Sequence, residues 1–153
     1  AAKMGYRTVA IARGSEKAVL ADKLGAHHYV DSTAIDVASE LRKLGGARVV
    51  AATVTNSAAM SATIDGLAPH GELLTLGVSA DPIHVTPLQL INSSGTVHGH
   101  PAGTAADIED TLNFAALQGI RPWIEEMPLE SVAAGYDRMM RNAARFRVVL
   151  RMS

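Results

Sequence analysis

The chain contains no cysteine among its 153 residues. A disulfide framework and thiolate chemistry are therefore excluded within it, as is a structural zinc site built from four thiolates. No apolar run approaches the roughly 20 residues that a membrane-spanning helix requires. The first residues also lack the basic region and the longer apolar region of a signal peptide. These absences predict a soluble cytoplasmic protein.

Charge of one sign is also scarce, because the formal net charge is -1 and no long run of one sign occurs. This excludes nucleic-acid and membrane-surface binding that depends on clustered Lys and Arg. The sequence has no GxSxG, Walker or HExxH motif. The acids Asp107, Glu109 and Asp110 open a predicted helix, where the helix dipole explains them better than acid-base catalysis. We therefore assign no catalytic residue within the chain.

Hydrophobic residues make up 48% of the chain and charged residues 19%, the balance of a globular domain with a proper core. Apolar runs that favour strands alternate with amphipathic, glycine-ended runs that favour helices. This alternation predicts an α/β fold with a mostly parallel sheet covered on both faces. The predicted strands span residues 7–12, 27–30, 47–54, 71–78, 96–100, 121–128 and 145–151.

Helix starts are predicted from capping side chains that precede the amphipathic runs. The candidates are Ser15, then Ser32 or Thr33, then Asn56 or Ser57. A proline-containing stretch, residues 79–95, breaks the alternation and is predicted to be irregular.

"AAKMG" (residues 1–5) is typical of the last turn of a helix, with Gly5 as its stop. We interpret this as a helix whose earlier part lies upstream of the chain. The predicted fold is a Rossmann-like doubly wound sheet that lacks its first strand and glycine-rich turn. In such a sheet the first strand is central and its turn carries the phosphate-binding glycines, and no GxGxxG occurs here.

Four stretches together resemble the zinc-dependent, medium-chain alcohol dehydrogenase family. They are residues 1–32, "GELLTLGV" (71–78), "VHGHPAGTAADIEDTLNF" (97–114) and "YDRMM" with "RFRVVL" (136–150), in this order. The resemblance implies a partial dinucleotide-binding domain over residues 1–118 and a segment over 119–153 that returns to a catalytic domain. It implies hydride transfer between an alcohol or aldehyde and NAD(P), with a zinc ion held outside this chain. These 153 residues alone are then expected to be inactive.

The stretch "IARGSEK" ends the first predicted strand, where a dinucleotide fold meets the adenosine ribose. A carboxylate there would accept both ribose hydroxyls and select NAD. Ala12 occupies that place, and the neighbouring Arg13 can bind a phosphate through charge-assisted bonds. We therefore favour NADP over NAD, with NAD left open if Arg13 is a solvated turn residue. Gly14 serves the turn, and the resemblance assigns Lys17 a contact with the adenosine ribose.

Further candidates follow the next strands, because ligands bind outside the carboxyl ends of parallel strands. Thr53 lies at the carboxyl end of one predicted strand, and Gly77 and Val78 lie at the end of the next. The resemblance implies that backbone groups around Val78 and His98 hold the nicotinamide amide, and that Val78 packs on its ring. The alternative is that these residues merely end their strands.

The resemblance also matches Arg147 to an arginine that reaches the cofactor pyrophosphate, with Arg145 as the alternative. His98 and His100 would share one face of a strand. No third ligand accompanies them, whereas zinc needs at least three from the protein. We therefore predict no metal site within the chain.

The family often dimerises by joining sheets edge to edge, and the strand from Thr96 to His100 is the candidate edge. A homodimer, or a tetramer built from it, is the expected assembly, and the expected partner is a small alcohol or aldehyde. Two other functions stay open: a zinc-free quinone reductase of the same superfamily, and a nucleotide-binding domain without chemistry. The sequence indicates no particular alcohol.

Overall fold

The computed structural model describes residues 1–152 of the chain. These residues form two compact units, of which the first spans Ala1–Ala102 and the second begins at Gly103. The predicted boundary between residues 118 and 119 separates a cofactor-binding part from a segment that returns to a catalytic domain. It stays a prediction. Each unit is described by itself.

The first unit contains two parallel sheets. Strand β1 (Val9–Ala12) pairs with β2 (His28–Asp31), and β3 (Ala47–Ala52), β4 (Leu67–Thr75) and β5 (Thr96–Gly99) form the second sheet in the order β3-β4-β5. Every pairing is parallel. The predicted α/β class with parallel strands is therefore confirmed. Because strands within each sheet are parallel, their carboxyl ends lie along the same edge of that sheet.

Short helices connect these strands. They are α1 (Ala18–Lys23), α2 (Val37–Lys43), α3 (Ser57–Ser61) and α4 (Pro87–Ser93). A 3₁₀ turn at Ala2–Met4 precedes them and ends at Gly5, whose φ of 89° is left-handed. This is the conformation predicted for a glycine that stops a helix.

Two predicted helix starts are wrong. Ser15 makes no capping bond, because the chain enters α1 through a 3₁₀ turn at Ser15–Lys17. Neither Ser32 nor Thr33 caps α2; the cap is Asp36, whose carboxylate accepts a bond from the Ser39 amide at 2.7 Å. The segment before it is instead held in a local turn, since Ser, Thr and Asp side chains compete with helix formation by bonding nearby backbone.

The cap of α3 is predicted correctly: the Asn56 side chain accepts a bond from the Ala59 amide at 2.8 Å. Helix α4, by contrast, lies inside the stretch predicted to be irregular. Thr86 caps it, Pro87 begins it, and Gln89 completes a capping box. These three residue types at this spacing are a helix-start signal, which the two prolines of the stretch obscured.

Helix α2 packs against both sheets of the first unit. Its Val37 and Leu41 form one cluster with Val30 of β2, and residues of β1 and β3 pack against that cluster. A second cluster lies between β3, β4 and α3. The buried members of this second cluster are Ala52, Met60, Ile64 and Leu73. Apolar residues of the strands and of the helices between them therefore form the core together.

The second unit comprises α5 (Ala105–Leu117), β6 (Ile124–Pro128), α6 (Val132–Met140) and β7 (Arg147–Arg151). Strands β6 and β7 pair in parallel and α6 connects them. Thr104 caps α5 and Asp107 closes the capping box, so this acid has a structural role. No helix within residues 1–152 is long and apolar enough to cross a membrane.

Candidate functional site

The turn after β1 is held on both sides by side chains of β2. The Gly14 amide donates to Asp31 Oδ1 at 2.9 Å, and the Tyr29 hydroxyl donates to the Gly14 carbonyl at 2.5 Å. Gly14 has a φ of 87°, and a Cβ there would collide with the Glu16 carboxylate. The Glu16 side chain is flexible and can move away, so the positive φ is what favours glycine here. The predicted role of Gly14 in the turn therefore has a structural reason.

Asp31 is the centre of this arrangement. Its Oδ1 also accepts bonds from the Thr33 hydroxyl at 2.7 Å and the Thr33 amide at 3.0 Å. Those two bonds, followed by the one from Gly14, lower the pKa of the Asp31 carboxyl because they stabilise its charged form. The sequence analysis missed this residue. The available signal was an Asp directly before Ser and Thr, a pattern typical of side-chain turns.

Two further charges are engaged within the turn. Lys17 Nζ donates to the carbonyl of Arg13 and lies 3.2 Å from Glu16 Oε1. The bond from its own amide, and then that from Lys17, lowers the pKa of Glu16. Partial burial, with the charges of Asp31 and Glu16, raises the pKa of the Tyr29 hydroxyl. This phenol therefore stays neutral and remains a donor to Gly14.

Arg13 differs from its neighbours. Its side chain is exposed, and its guanidinium makes no hydrogen bond or ion pair with any residue in the described part of the chain. The turn thus presents one uncommitted cation on a backbone whose position is fixed. The guanidinium is therefore a charge-assisted donor that can pair with an anion at this turn.

The carboxyl ends of β3 and β4 are joined through backbone contacts. The amides of Leu76 and Gly77 both donate to the Ala52 carbonyl at 2.9 Å. A Cβ at Gly77 would overlap the Val54 carbonyl and lie 2.9 Å from the carbonyl carbon of Thr53. The structure therefore brings Thr53 and Gly77 together, and glycine is required for their close approach.

Val78, which follows Gly77, is 84% exposed. An apolar side chain left open at a strand end can cover the face of a flat ring. On β5, the His98 carbonyl accepts a bond from the Thr75 hydroxyl at 3.0 Å, and its imidazole Nδ1 lies 3.6 Å from Glu72 Oε1. No three His, Asp or Glu residues within 1–152 are grouped so that they could hold a metal ion.

Arg147 lies in the second unit, at the start of β7, where it is exposed and in register with Ile124. The alternative candidate Arg145 donates its backbone amide to Glu125 Oε1 at 2.8 Å. The predicted contact between Arg147 and a pyrophosphate stays a prediction.

The chain matches a family of known proteins. A family model described as zinc-binding dehydrogenase matches residues 1–116, which is well over half of the chain. The chain belongs to the zinc-binding dehydrogenase family. The resemblance deduced from the sequence is therefore confirmed.

The chain is 39% identical over 150 residues to the alcohol dehydrogenase patD of Penicillium expansum, covering 98% of this chain and 44% of that protein. It is 29% identical to an alcohol dehydrogenase of Geobacillus stearothermophilus, with 97% and 44% covered. This member of the zinc-binding dehydrogenase family thus spans less than half the length of the curated relatives it matches.

Solved structures share the fold. The alcohol dehydrogenase of the hyperthermophilic archaeon Aeropyrum pernix superposes with a TM-score of 0.81 at 24% identity, over 94% of this chain and 42% of that one. An alcohol dehydrogenase zinc-binding domain protein from Burkholderia ambifaria gives 0.84 at 22% identity, over 95% and 41%. The Rossmann-like α/β architecture predicted for this chain is therefore confirmed.

Proposed function

We propose that this chain is the cofactor-binding part of an NAD(P)-dependent alcohol dehydrogenase that prefers NADP. The observation that carries the proposal is the uncommitted Arg13 guanidinium beside a glycine turn fixed by Tyr29 and Asp31. A free cation favours a 2′-phosphate, whereas NAD selection needs a carboxylate free to accept the ribose hydroxyls. Asp31 and Glu16 both accept bonds within the turn.

The chain's residues would bind and orient the cofactor. Arg13 binds the 2′-phosphate, Gly14 lets the adenosine ribose approach the backbone, and Lys17 contacts that ribose. The tight junction of Thr53 with Gly77 fits a group that must come close to backbone atoms.

Three more residues would bind the nicotinamide and the pyrophosphate of the cofactor. We propose that the open Val78 packs on the nicotinamide ring, that backbone groups near Val78 and His98 hold its amide, and that Arg147 binds the pyrophosphate. When bound, the cofactor supplies the hydride chemistry. No residue cluster within 1–152 fits a zinc ion, so we propose that zinc is held elsewhere in the enzyme and assign it no step.

The test is Arg13→Asp in the complete enzyme. Losing a charge-assisted bond and gaining a like charge should lower the NADPH/NADH ratio of kcat/KM by roughly ten- to a hundredfold. Arg48→Asp is the matched control, because this exposed arginine lies near the amino end of β3, away from the carboxyl ends of the strands. An unchanged ratio in Arg13→Asp would show that Arg13 does not read the 2′-phosphate.

Assays of the complete wild-type enzyme also distinguish the two alternative functions, a zinc-free quinone reductase and a nucleotide-binding domain without chemistry. Dinucleotide binding with quinone reduction but no alcohol oxidation would support the quinone reductase. Binding with neither activity would support a domain without chemistry. The relatives named above are alcohol dehydrogenases, which favours a small alcohol or aldehyde as the substrate. A cytoplasmic location and assembly through β5, as a homodimer or a tetramer built from it, complete the proposal.

A further inference from the structure

We infer that Tyr29 and Asp31 of β2 are positioning residues for cofactor specificity: they hold the Arg13–Gly14 turn so that the Arg13 guanidinium meets the 2′-phosphate. The inference rests on the proposed function, since it assigns to β2 the control of the residue that reads the cofactor. Neither side chain needs to touch the ligand.

The geometry begins with the register of the first sheet. Ala10 pairs with Tyr29 and Ala12 with Asp31, so Asp31 stands beside the last residue of β1. Tyr29 and Asp31 are two positions apart, and alternate residues of a strand share a face. Both side chains therefore reach the same turn from the same side.

Together they bind both polar backbone atoms of Gly14. The amide donates to Asp31 at 2.9 Å, and the carbonyl accepts from Tyr29 at 2.5 Å. The peptide on either side of Gly14 cannot rotate without breaking one of these bonds. The bond to Asp31 acts on the peptide that joins Arg13 to Gly14, so it limits the direction in which the Arg13 side chain leaves the chain. The bond from Tyr29 holds the peptide on the other side of Gly14 and so keeps the turn in place.

This control matters because the Arg13 side chain has no other support. Its guanidinium makes no hydrogen bond or ion pair within residues 1–152, so the position of its backbone governs where it can reach. A long side chain on a mobile turn would lose much freedom on binding a phosphate. On a fixed turn less is lost, which is the advantage of a preorganised site.

Positioning and simple electrostatics predict different results for substitutions of Asp31. A carboxylate near a bound phosphate repels it, so charge removal alone should strengthen binding. If Asp31 positions the turn, loss of its acceptor oxygen should weaken binding instead. Asp31→Ala removes both the charge and the acceptor, whereas Asp31→Asn removes only the charge and keeps an oxygen that can accept from Gly14 and Thr33.

The experiment measures binding without catalysis. The complete protein and its variants are titrated calorimetrically with 2′,5′-ADP and with 5′-AMP, which differ only in the 2′-phosphate. We expect Tyr29→Phe and Asp31→Ala to weaken binding of 2′,5′-ADP by roughly three- to tenfold, the effect of losing the one hydrogen bond that each side chain makes with Gly14. Binding of 5′-AMP should change little, and Asp31→Asn should stay close to the wild type.

Tyr6→Phe and Asp36→Asn are the matched controls. Tyr6 is exposed and its hydroxyl makes no described hydrogen bond, whereas Asp36 accepts an amide bond in α2, as Asp31 does in the turn. Neither control should alter the preference for 2′,5′-ADP. Hydrogen exchange of the Gly14 amide should be faster in Asp31→Ala and unchanged in Asp36→Asn.

The outcomes separate this inference from the proposed function. If Arg13→Asp abolishes the preference for 2′,5′-ADP but Tyr29→Phe and Asp31→Ala retain it, the inference is overturned and the proposed function stands. Equal weakening of both nucleotides would show a merely structural role and would also overturn it. If the wild type shows no preference for 2′,5′-ADP, the NADP proposal fails together with the inference. Should Asp31→Ala not fold, Tyr29→Phe decides.

Discussion

At the scale of single residues, two glycines of the candidate site are needed for different reasons. Gly14 adopts a φ of 87°, which other residues rarely adopt. Gly77 lies so close to the end of β3 that a side chain would meet backbone atoms of Thr53 and Val54. The first requirement is conformational and the second steric, so substitutions at the two positions act through different mechanisms.

We expect Gly77→Ala to destabilise the protein by about 1–3 kcal/mol, because an added methyl group in a packed site displaces its neighbours. The midpoint of urea unfolding measures the change. Gly99→Ala is the control, since a Cβ there meets only the Thr75 hydroxyl, at 3.5 Å. Equal unfolding midpoints for Gly77→Ala and the wild type would contradict the close approach.

Single residues also explain why the sequence did not predict the part of the site that β2 contributes. Arg13 and Gly14 were predicted because they follow directly on a recognisable strand. Tyr29 and Asp31 lie 15 and 17 residues away from Gly14, and their approach depends on the register of β1 with β2. Hydrophobic patterns predict that strands exist, but they do not say which side chain lies beside which turn.

At the scale of elements, one ion pair ties α6 to β6 in the second unit. Glu125 accepts two bonds from the guanidinium of Arg138, and Arg145 adds a backbone amide at 2.8 Å. The bonds from Arg138, then that from Arg145, lower the pKa of the Glu125 carboxyl. One carboxylate thus joins a strand, a helix and the loop before β7.

This pair predicts a pH dependence. A carboxyl whose pKa is lower in the folded state stabilises the fold fully above its unfolded pKa, and this stability is lost as the pH falls through the folded pKa. We therefore expect Glu125→Gln to be less stable than the wild type at neutral pH, and the difference to shrink on acidification below the ordinary range of a glutamate. The fluorescence of Trp123, the single tryptophan, follows unfolding of this unit.

Glu126→Gln is the control for this measurement. Glu126 is the next residue of β6 and forms one exposed ion pair with Arg151 at 3.4 Å, an interaction of a kind that contributes little to stability. A stability difference between Glu125→Gln and the wild type that stays constant between neutral and acidic pH would contradict the assigned role of Glu125.

At the scale of the whole molecule, the open question is assembly. In the order β3-β4-β5, strand β5 pairs with β4 alone within the described part of the chain. Its other edge therefore has backbone groups that another strand can pair with. This supports the proposed dimer through residues 96–99, although the edge strand is shorter than predicted and ends at Gly99.

We expect sedimentation velocity of the complete protein to show a dimer or tetramer that dissociates on dilution. Amide hydrogen exchange of β5 should be slower at high protein concentration than at low concentration, because pairing protects edge amides. The amides of β2, where edge pairing is not proposed, are the internal control. A monomer at all concentrations, or an assembly without added protection of β5, would exclude this interface.

The sequence by itself determined the α/β class, the parallel strands, the family and the place of Arg13 and Gly14 directly after the first strand. These follow from local patterns: apolar runs, helix stops and the order of short stretches along the chain. Only the tertiary structure decided which groups hold that turn, because the bonds of Gly14 to Tyr29 and Asp31 exist only once β1 and β2 are in register. It likewise decided that Gly77 must be small, since the backbone it contacts directly follows a different strand, β3.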